Sequence, residues 1–284
     1  MSKKLSAIVT LTLLSSVVMG GTYPVFAEST AASTQEHQVQ ASEQKADNLY
    51  QVSLLNGLMQ GDYDGSVSIG ELLKHGDTGL GTFNKLDGEM IVIDGAVYKA
   101  KSDGTVEKQP ADELTPFAAV GFMDADYNLD GLNGITNLND LKTKLDDYVK
   151  TKAADKNAFY MVKISGDFNL AHVRSVPMQE KPYRPLNVIS DEQKEFVYND
   201  VKGTIVALYC PDYMAGINLP TWHFHFITDD KTKGGHLLDI NIKNATGTMD
   251  KMEDYNLVLP SSKTFADMDL AKDLSKETAK TESK

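Results

Sequence analysis

The stretch Trp222-His-Phe-His-Phe-Ile227, followed by His236-Leu-Leu-Asp-Ile240, restricts this chain more than any other. Apolar residues flank a polar segment that ends in Gly234-Gly235, which predicts two strands joined by a turn. A hairpin centred on Asp230-Lys231 sets residue 225 opposite residue 236. Strand side chains alternate between faces, so His223 and His225 point one way while Phe224 and Phe226 point the other. Three imidazoles then stand within cross-strand reach. The chain has only six histidines, and three of them in so short a window can share one ion. Neutral imidazole suits zinc and other late first-row ions. Three protein ligands with a fourth position open is the catalytic arrangement rather than the closed structural one.

At the N-terminus, Lys3 and Lys4 precede an apolar run over residues 7–20, and Val25-Phe26-Ala27 supplies a small-residue cleavage site. This pattern predicts a secretory signal peptide over residues 1–27, cut near Ala27, and therefore an exported protein; the run is too short for a membrane span. Residues 28–46, rich in Ser, Thr, Gln, Glu and Ala, read as a flexible leader. Losing two lysines makes the mature chain more acidic than the full-length formal charge of −12. With no basic stripe interleaved with aromatic residues, nucleic acid is excluded as a partner. No later segment is apolar for long enough to cross a bilayer, so no membrane association is expected after signal removal. The single Cys210 excludes an internal disulfide and, following Ile205-Val-Ala-Leu-Tyr209, reads as a buried thiol at a strand end.

The rest of the chain reads as α+β: two closely packed, sheet-rich units with mixed and antiparallel strands and few short helices. An N-terminal mixed-sheet unit is expected over residues 47–202. A C-terminal antiparallel unit over residues 203–284 is expected to carry the metal site. Asp94-Gly95 between apolar runs and Asp103-Gly104 are hairpin signals, and residues 117–123 continue the meander. Residues 68–74 read as a short helix ended by Gly76, and residues 138–149 as the clearest long helix, capped by Asn137. Asp126-x-Asn128-x-Asp130-Gly131 opens like a calcium loop but has Asn137 where the bidentate Glu belongs, so a polar loop is the better reading. Residues 158–164 and 168–173 read as two strands around a Ser165-Gly166-Asp167 turn, and residues 191–198 as a second short helix. Asn244-Ala-Thr246 is a glycosylation sequon.

Two further residues carry possible chemistry. Gly88 permits a tight turn that brings Glu89 close to a site, where a carboxylate can ligate a metal or move a proton, or simply be an exposed turn acid. Arg174, at a strand end, can clamp a substrate carboxylate through two hydrogen bonds, or be a surface residue. His-Glu-x-x-His, Gly-x-Ser-x-Gly and dinucleotide fingerprints are all absent.

Several separated blocks together resemble the alpha-acetolactate decarboxylase family. They are Glu71-Leu-Leu-Lys-His-Gly-Asp77 with Gly79-Leu-Gly-Thr-Phe83 and Leu86-Asp-Gly-Glu89, Arg174-Ser-Val-Pro177 with Gln179-Glu-Lys-Pro-Tyr183, and His223-x-His225-Phe with Asp230-x-x-x-Gly-Gly-His236. The likeness is strongest to the exported form of some Gram-positive bacilli. It implies a homodimeric, zinc-dependent lyase with a two-part α+β fold, converting the small molecule (2S)-2-hydroxy-2-methyl-3-oxobutanoate to (R)-acetoin and carbon dioxide through a metal-stabilised enediolate. By the same likeness His223, His225 and His236 are the zinc ligands, Glu89 and Arg174 the catalytic acid and arginine, and Thr82 a pocket residue. A glutamate of the C-terminal tail folds back to the metal: Glu282 by position, with Glu277 as rival. The Thr221-Trp222 pair departs from the Gly-aromatic pair of many relatives, which bears on pocket shape but not on the ligands.

Two other readings use the same histidines. A small-barrel metal oxygenase would place a carboxylate at Asp229, although the spacing to the next glycine differs. An exported binding or adhesion module would use the imidazoles only to close a four-ligand structural site.

Overall fold

A computed structural model describes residues 47–282; the expected signal peptide and leader lie outside the described residues. In chain order the strands are β1 (Asn48–Val52), β2 (Val67–Ser68), β3 (Thr78–Thr82), β4 (Glu89–Ile93), β5 (Ala96–Ala100), β6 (Val106–Lys108), β7 (Leu114–Thr115), β8 (Ala118–Gly121), β9 (Tyr127–Leu129), β10 (Phe159–Ser175), β11 (Lys194–Cys210), β12 (Thr221–Thr228), β13 (Gly234–Met252) and β14 (Asp254–Val258). The helices are α1 (Leu55–Met59), α2 (Ile69–Leu72), α3 (Leu138–Tyr148), α4 (Leu186–Ile189), α5 (Lys263–Ala266) and α6 (Ser275–Glu282). None of the described helices is long and apolar enough to cross a membrane.

The α+β architecture is built on two large sheets. One has the order β14-β1-β8-β3-β4-β5-β6, antiparallel except for the β1–β14 pair. In the other, β10 pairs β11, β11 pairs β12, β12 pairs β13 and β13 returns to β10, all antiparallel, with β9 added along β13. This circuit of pairings satisfies backbone groups that an open edge would leave free. Strand alternation then assigns the faces. Phe224 and Phe226 enter a core with Phe168, Ile205 and the Leu141/Leu145 face of α3. Ile227 instead joins Leu80, Ile91, Met161, Val206 and Met252 between the two sheets. By the same parity Thr82 follows Leu80, Glu89 precedes Ile91, and His223 and His225 precede Ile227. All four point into the layer between the sheets.

Several local expectations hold. The Asp94-Gly95 hairpin pairs Ile93 with Ala96, and Asn137 caps α3 by accepting the Asp140 N–H at 2.9 Å. Cys210 is buried at the end of β11, and burial pushes its thiol well above the usual range.

Others are corrected. Residues 165–167 are not a turn: β10 runs unbroken through them, pairing with β11 on one side and β13 on the other. Gly166 is there for close approach, since a Cβ would lie 2.2 Å from the Asn244 carbonyl oxygen. Nor do residues 194–198 form a helix. A single 3₁₀ turn, Ser190–Glu192, leads into β11, where Phe196 pairs with Val173 and tertiary pairing overrides local propensity. The calcium-like stretch contributes β9 against Gly247–Met249. The division expected between residues 202 and 203 falls inside β11, and the second sheet draws strands from both sides of it.

Candidate metal centre and active site

The β12–β13 hairpin pairs His225 with His236, the register expected from its centre. One ligand nitrogen from each of His223, His225 and His236 lies within 4.8 Å of the others. His223 Nε2 and His236 Nδ1 are 3.0 Å apart, and His225 Nδ1 is 2.7 Å from the Met90 carbonyl oxygen on β4. Burial, reinforced by the nearby Arg174 cation, lowers all three rings, His223 to about 3 and the others well below the usual imidazole value. All three are therefore neutral, the form that binds metals.

Around them the chain gathers residues far apart in sequence. Glu89 opens β4 directly opposite Thr82 on β3, because Gly88, at φ +88°, lets the turn close where a Cβ would meet the Ala100 carbonyl oxygen at 2.5 Å. Glu89 Oε2 lies 3.5 Å from His225 Nε2. Its burial, partly offset by Arg174 and added to by Glu282, raises its carboxyl to about 7. The Thr82 hydroxyl donates to the Gly88 carbonyl oxygen at 2.8 Å, so it braces the turn that carries Glu89.

Arg174 stands beside His236 in the β10–β13 register and is 4% exposed. Its Nη1 donates to Gln193 Oε1 at 3.1 Å, its Nη2 lies 3.6 Å from Glu282 Oε1, and its Nε, buried, has no hydrogen-bond partner. Glu282, on α6, also places Oε2 3.3 Å from His236 Nε2, and burial raises its carboxyl. The tail reaches this position because Asn56 of α1 donates to the carbonyls of Leu270 and Lys272 while Leu274 packs among Leu55, Leu58 and Leu186.

Thr82, Glu89, Arg174, His223, His236 and Glu282 line one small cavity whose remaining wall is largely apolar, including Leu58, Leu86, Phe117 and Val176. His236 and Glu282 also line a surface groove with Asn139 and Lys142. Glu277 lines neither; its carbonyl accepts the Thr281 hydroxyl at 3.0 Å. Asp229 is exposed beyond the hairpin strand, which removes the carboxylate that the oxygenase reading requires.

The model of the family described as alpha-acetolactate decarboxylase matches residues 49–272. The chain belongs to the alpha-acetolactate decarboxylase family. Relatives within that family include the alpha-acetolactate decarboxylase of Methanosarcina mazei, 37% identical over 241 residues, 85% of this chain and 82% of the relative. That of Bacillus subtilis strain 168 is 36% identical over 231 residues, covering 80% and 88%. The crystal structure of the B. subtilis strain 168 protein superposes with a TM-score of 0.78 at 33% identity, covering 83% of this chain and 99% of the other. Identity to the Methanosarcina mazei relative is as high as that to the B. subtilis one, so the comparisons show the family without singling out the bacillus form.

The donor set of this decarboxylase-family chain fits a metal ion. His225 Nε2 and His223 Nδ1 are buried without hydrogen-bond partners. Unpaired imidazole nitrogens beside a third neutral ring are costly in a protein interior unless something binds them.

Sequence reasoning missed Gln193, which holds Arg174, and Asn218, which lines the cavity. It also missed the Met90 carbonyl, for which no residue signal exists because any amino acid supplies one.

Proposed function

We propose that this enzyme is a zinc-dependent acetolactate decarboxylase, converting (2S)-2-hydroxy-2-methyl-3-oxobutanoate to (R)-acetoin and carbon dioxide. The observation that carries the reading is a cluster of three neutral imidazoles, two of which line one small, largely apolar cavity together with a buried arginine and two carboxyl groups. Family membership supports the same reaction.

His223, His225 and His236 would hold the zinc, which when bound supplies a Lewis acid for the negative charge that develops on the ketone oxygen as carbon dioxide leaves. The chain's own groups do the rest. Arg174, kept in place by Gln193, pairs with the substrate carboxylate, and its unpartnered Nε offers a donor that Glu282 does not occupy. The bond from the carboxylate carbon to the hydroxyl-bearing carbon breaks, its electron pair stays with the substrate, and one proton must be returned to that carbon. A buried carboxyl raised to about 7 still carries a proton near neutrality, which suits Glu89 as donor; Glu282, also raised, is the alternative. Delivery from one side of the cavity fixes the hand of acetoin. The apolar wall keeps bulk water from supplying that proton at random.

We also read the enzyme as an exported homodimer: the signal-like segment supports export, and the family likeness supports the dimer. The direct test is acetoin and carbon dioxide formation from racemic acetolactate, with chiral chromatography of the product. Loss of activity in a chelator and recovery with zinc are expected, and full activity in demonstrably metal-free protein would overturn the zinc-dependent reading.

A further inference from the structure

At the opposite end of β13 from His236, a second set of groups converges. Asp47 immediately precedes β1 and Asp124 follows β8, both in the seven-stranded sheet, whereas Asp250 lies on β13 in the other. A carboxylate oxygen from each lies within 4.8 Å of the other two.

Asp250 is the unusual member. It is 0% exposed, it sits on the same strand face as Met252 and opposite Met161, and both methionines belong to the layer between the sheets. Its Oδ2 accepts the Asp124 N–H at 3.2 Å, but Oδ1, equally buried, has no hydrogen-bond partner. A carboxylate oxygen shut away from water without a donor is expensive unless a cation is bound to it. The neighbouring charges give no relief. Those acting on Asp47 belong to Asp124, Asp126, Glu253 and Asp254, and with burial they raise its carboxyl. Burial, with Asp124 and Asp126 adding to it, raises Asp250 to about 7. The ammonium of Lys251 is engaged by Glu253 at 2.8 Å and Asp155 at 3.2 Å.

The segments bearing these acids are pinned by main-chain bonds. The Asp47 carbonyl oxygen accepts the N–H groups of Glu253 at 2.7 Å and Asp254 at 2.9 Å, and Asp126 Oδ2 accepts the Lys251 N–H at 3.1 Å. The carboxylates are thus held together before any ligand arrives.

We propose that Asp47, Asp124 and Asp250 form a binding site for a hard divalent cation, calcium in preference to magnesium, that ties the two sheets together. An all-oxygen set excludes the soft and imidazole-seeking metals of the histidine site. Calcium accepts irregular shells of six to eight oxygens, and the solvent-facing side of Asp47 and Asp124 leaves room for water to complete one, whereas magnesium demands a near-ideal octahedron.

The test is thermal unfolding of the zinc-loaded full chain at constant ionic strength in calcium chloride, magnesium chloride or sodium chloride alone. At ~10 mM, far above the affinities of about 10⁻⁴ to 10⁻³ M usual for weak sites, calcium should raise Tm by ~2–6 °C, and magnesium by less. Asp250→Asn and Asp124→Asn should abolish the rise, while His223→Ala should keep it, which separates this site from the histidine cluster. If Asp250→Asn does not fold, Asp47→Asn and Asp124→Asn, both altered at accessible side chains, carry the test. The absence of a calcium-specific rise in the parent protein would overturn the proposal in favour of a proton shared between Asp250 and Asp124. So would a rise that survives in the Asp variants.

Discussion

The carbonyl oxygen of Met90 on β4 lies 2.7 Å from Nδ1 of His225 on β12, so one sheet orients a ring carried by the other. A carbonyl can only accept, so Nδ1 carries the proton and Nε2, 3.5 Å from Glu89 Oε2, keeps its lone pair free for a ligand. His225→Ala is therefore expected to lose bound metal and to lower acetoin formation by on the order of 10²-fold or more, with His223→Ala behaving alike. His172→Ala, which removes a ring paired with Glu195 at a partly exposed site, should keep both metal and rate. Metal content and steady-state rates measured on the same preparations check this.

The tail carries two glutamates, but only Glu282 reaches Arg174 and His236. Glu282→Gln is expected to lower kcat by about 10- to 10³-fold with little change in Tm, because the segment leading into α6 is also anchored by Leu274 and by Asn56, independently of that carboxylate. Glu277→Gln should leave kcat within about twofold. Equal losses in the two variants would refute the placement of the tail.

Thr221, immediately before the Trp222–Ile227 run, has φ +66°. A β-branched side chain in the left-handed region costs on the order of 1–2 kcal/mol, and glycine adopts it without that strain, at some cost in unfolded-state entropy. Thr221→Gly is expected to stabilise the protein by ~1 kcal/mol in urea or guanidinium unfolding, leaving His223 in place.

Burial, then the adjacent Asp64, raises the Asp62 carboxyl above its model-peptide value of 3.8. Just above that pH the folded chain holds a proton that the unfolded chain has released, so stability falls as pH rises through this window and the penalty is complete beyond the folded pKa. Asp62→Asn removes the titration. Its Tm should exceed that of the parent protein at neutral pH, and the difference should shrink as pH falls toward 3.8. A gain that grows on acidification would reverse the sign of this account.

What the chain carried openly was local: alternation through Trp222–Ile227 set which side the histidines face, the polar turn set His225 against His236, and Asn137 marked the start of α3. Of the residues that line the cavity, Thr82, Glu89, Arg174, His223 and His236 could be named from the blocks that carry the family resemblance, since each block is a short run around one chemically distinctive side chain. The long strands were not legible in this way. Gly166 looks like turn chemistry until two neighbouring strands are seen to press against it, and residues 194–198 become strand only because β10 offers a partner.

By itself, then, the sequence determined the side chains, their alternation and the hairpin register, all consequences of backbone geometry over a few residues. Only the tertiary structure decided that β3, β4, β10, β12, β13 and α6 meet at one cavity, that Met90 orients His225, and that Glu282 is the carboxylate delivered. Those outcomes depend on how two sheets pack face to face and on where α1 holds the tail, and packing between distant segments leaves no period or spacing in the chain.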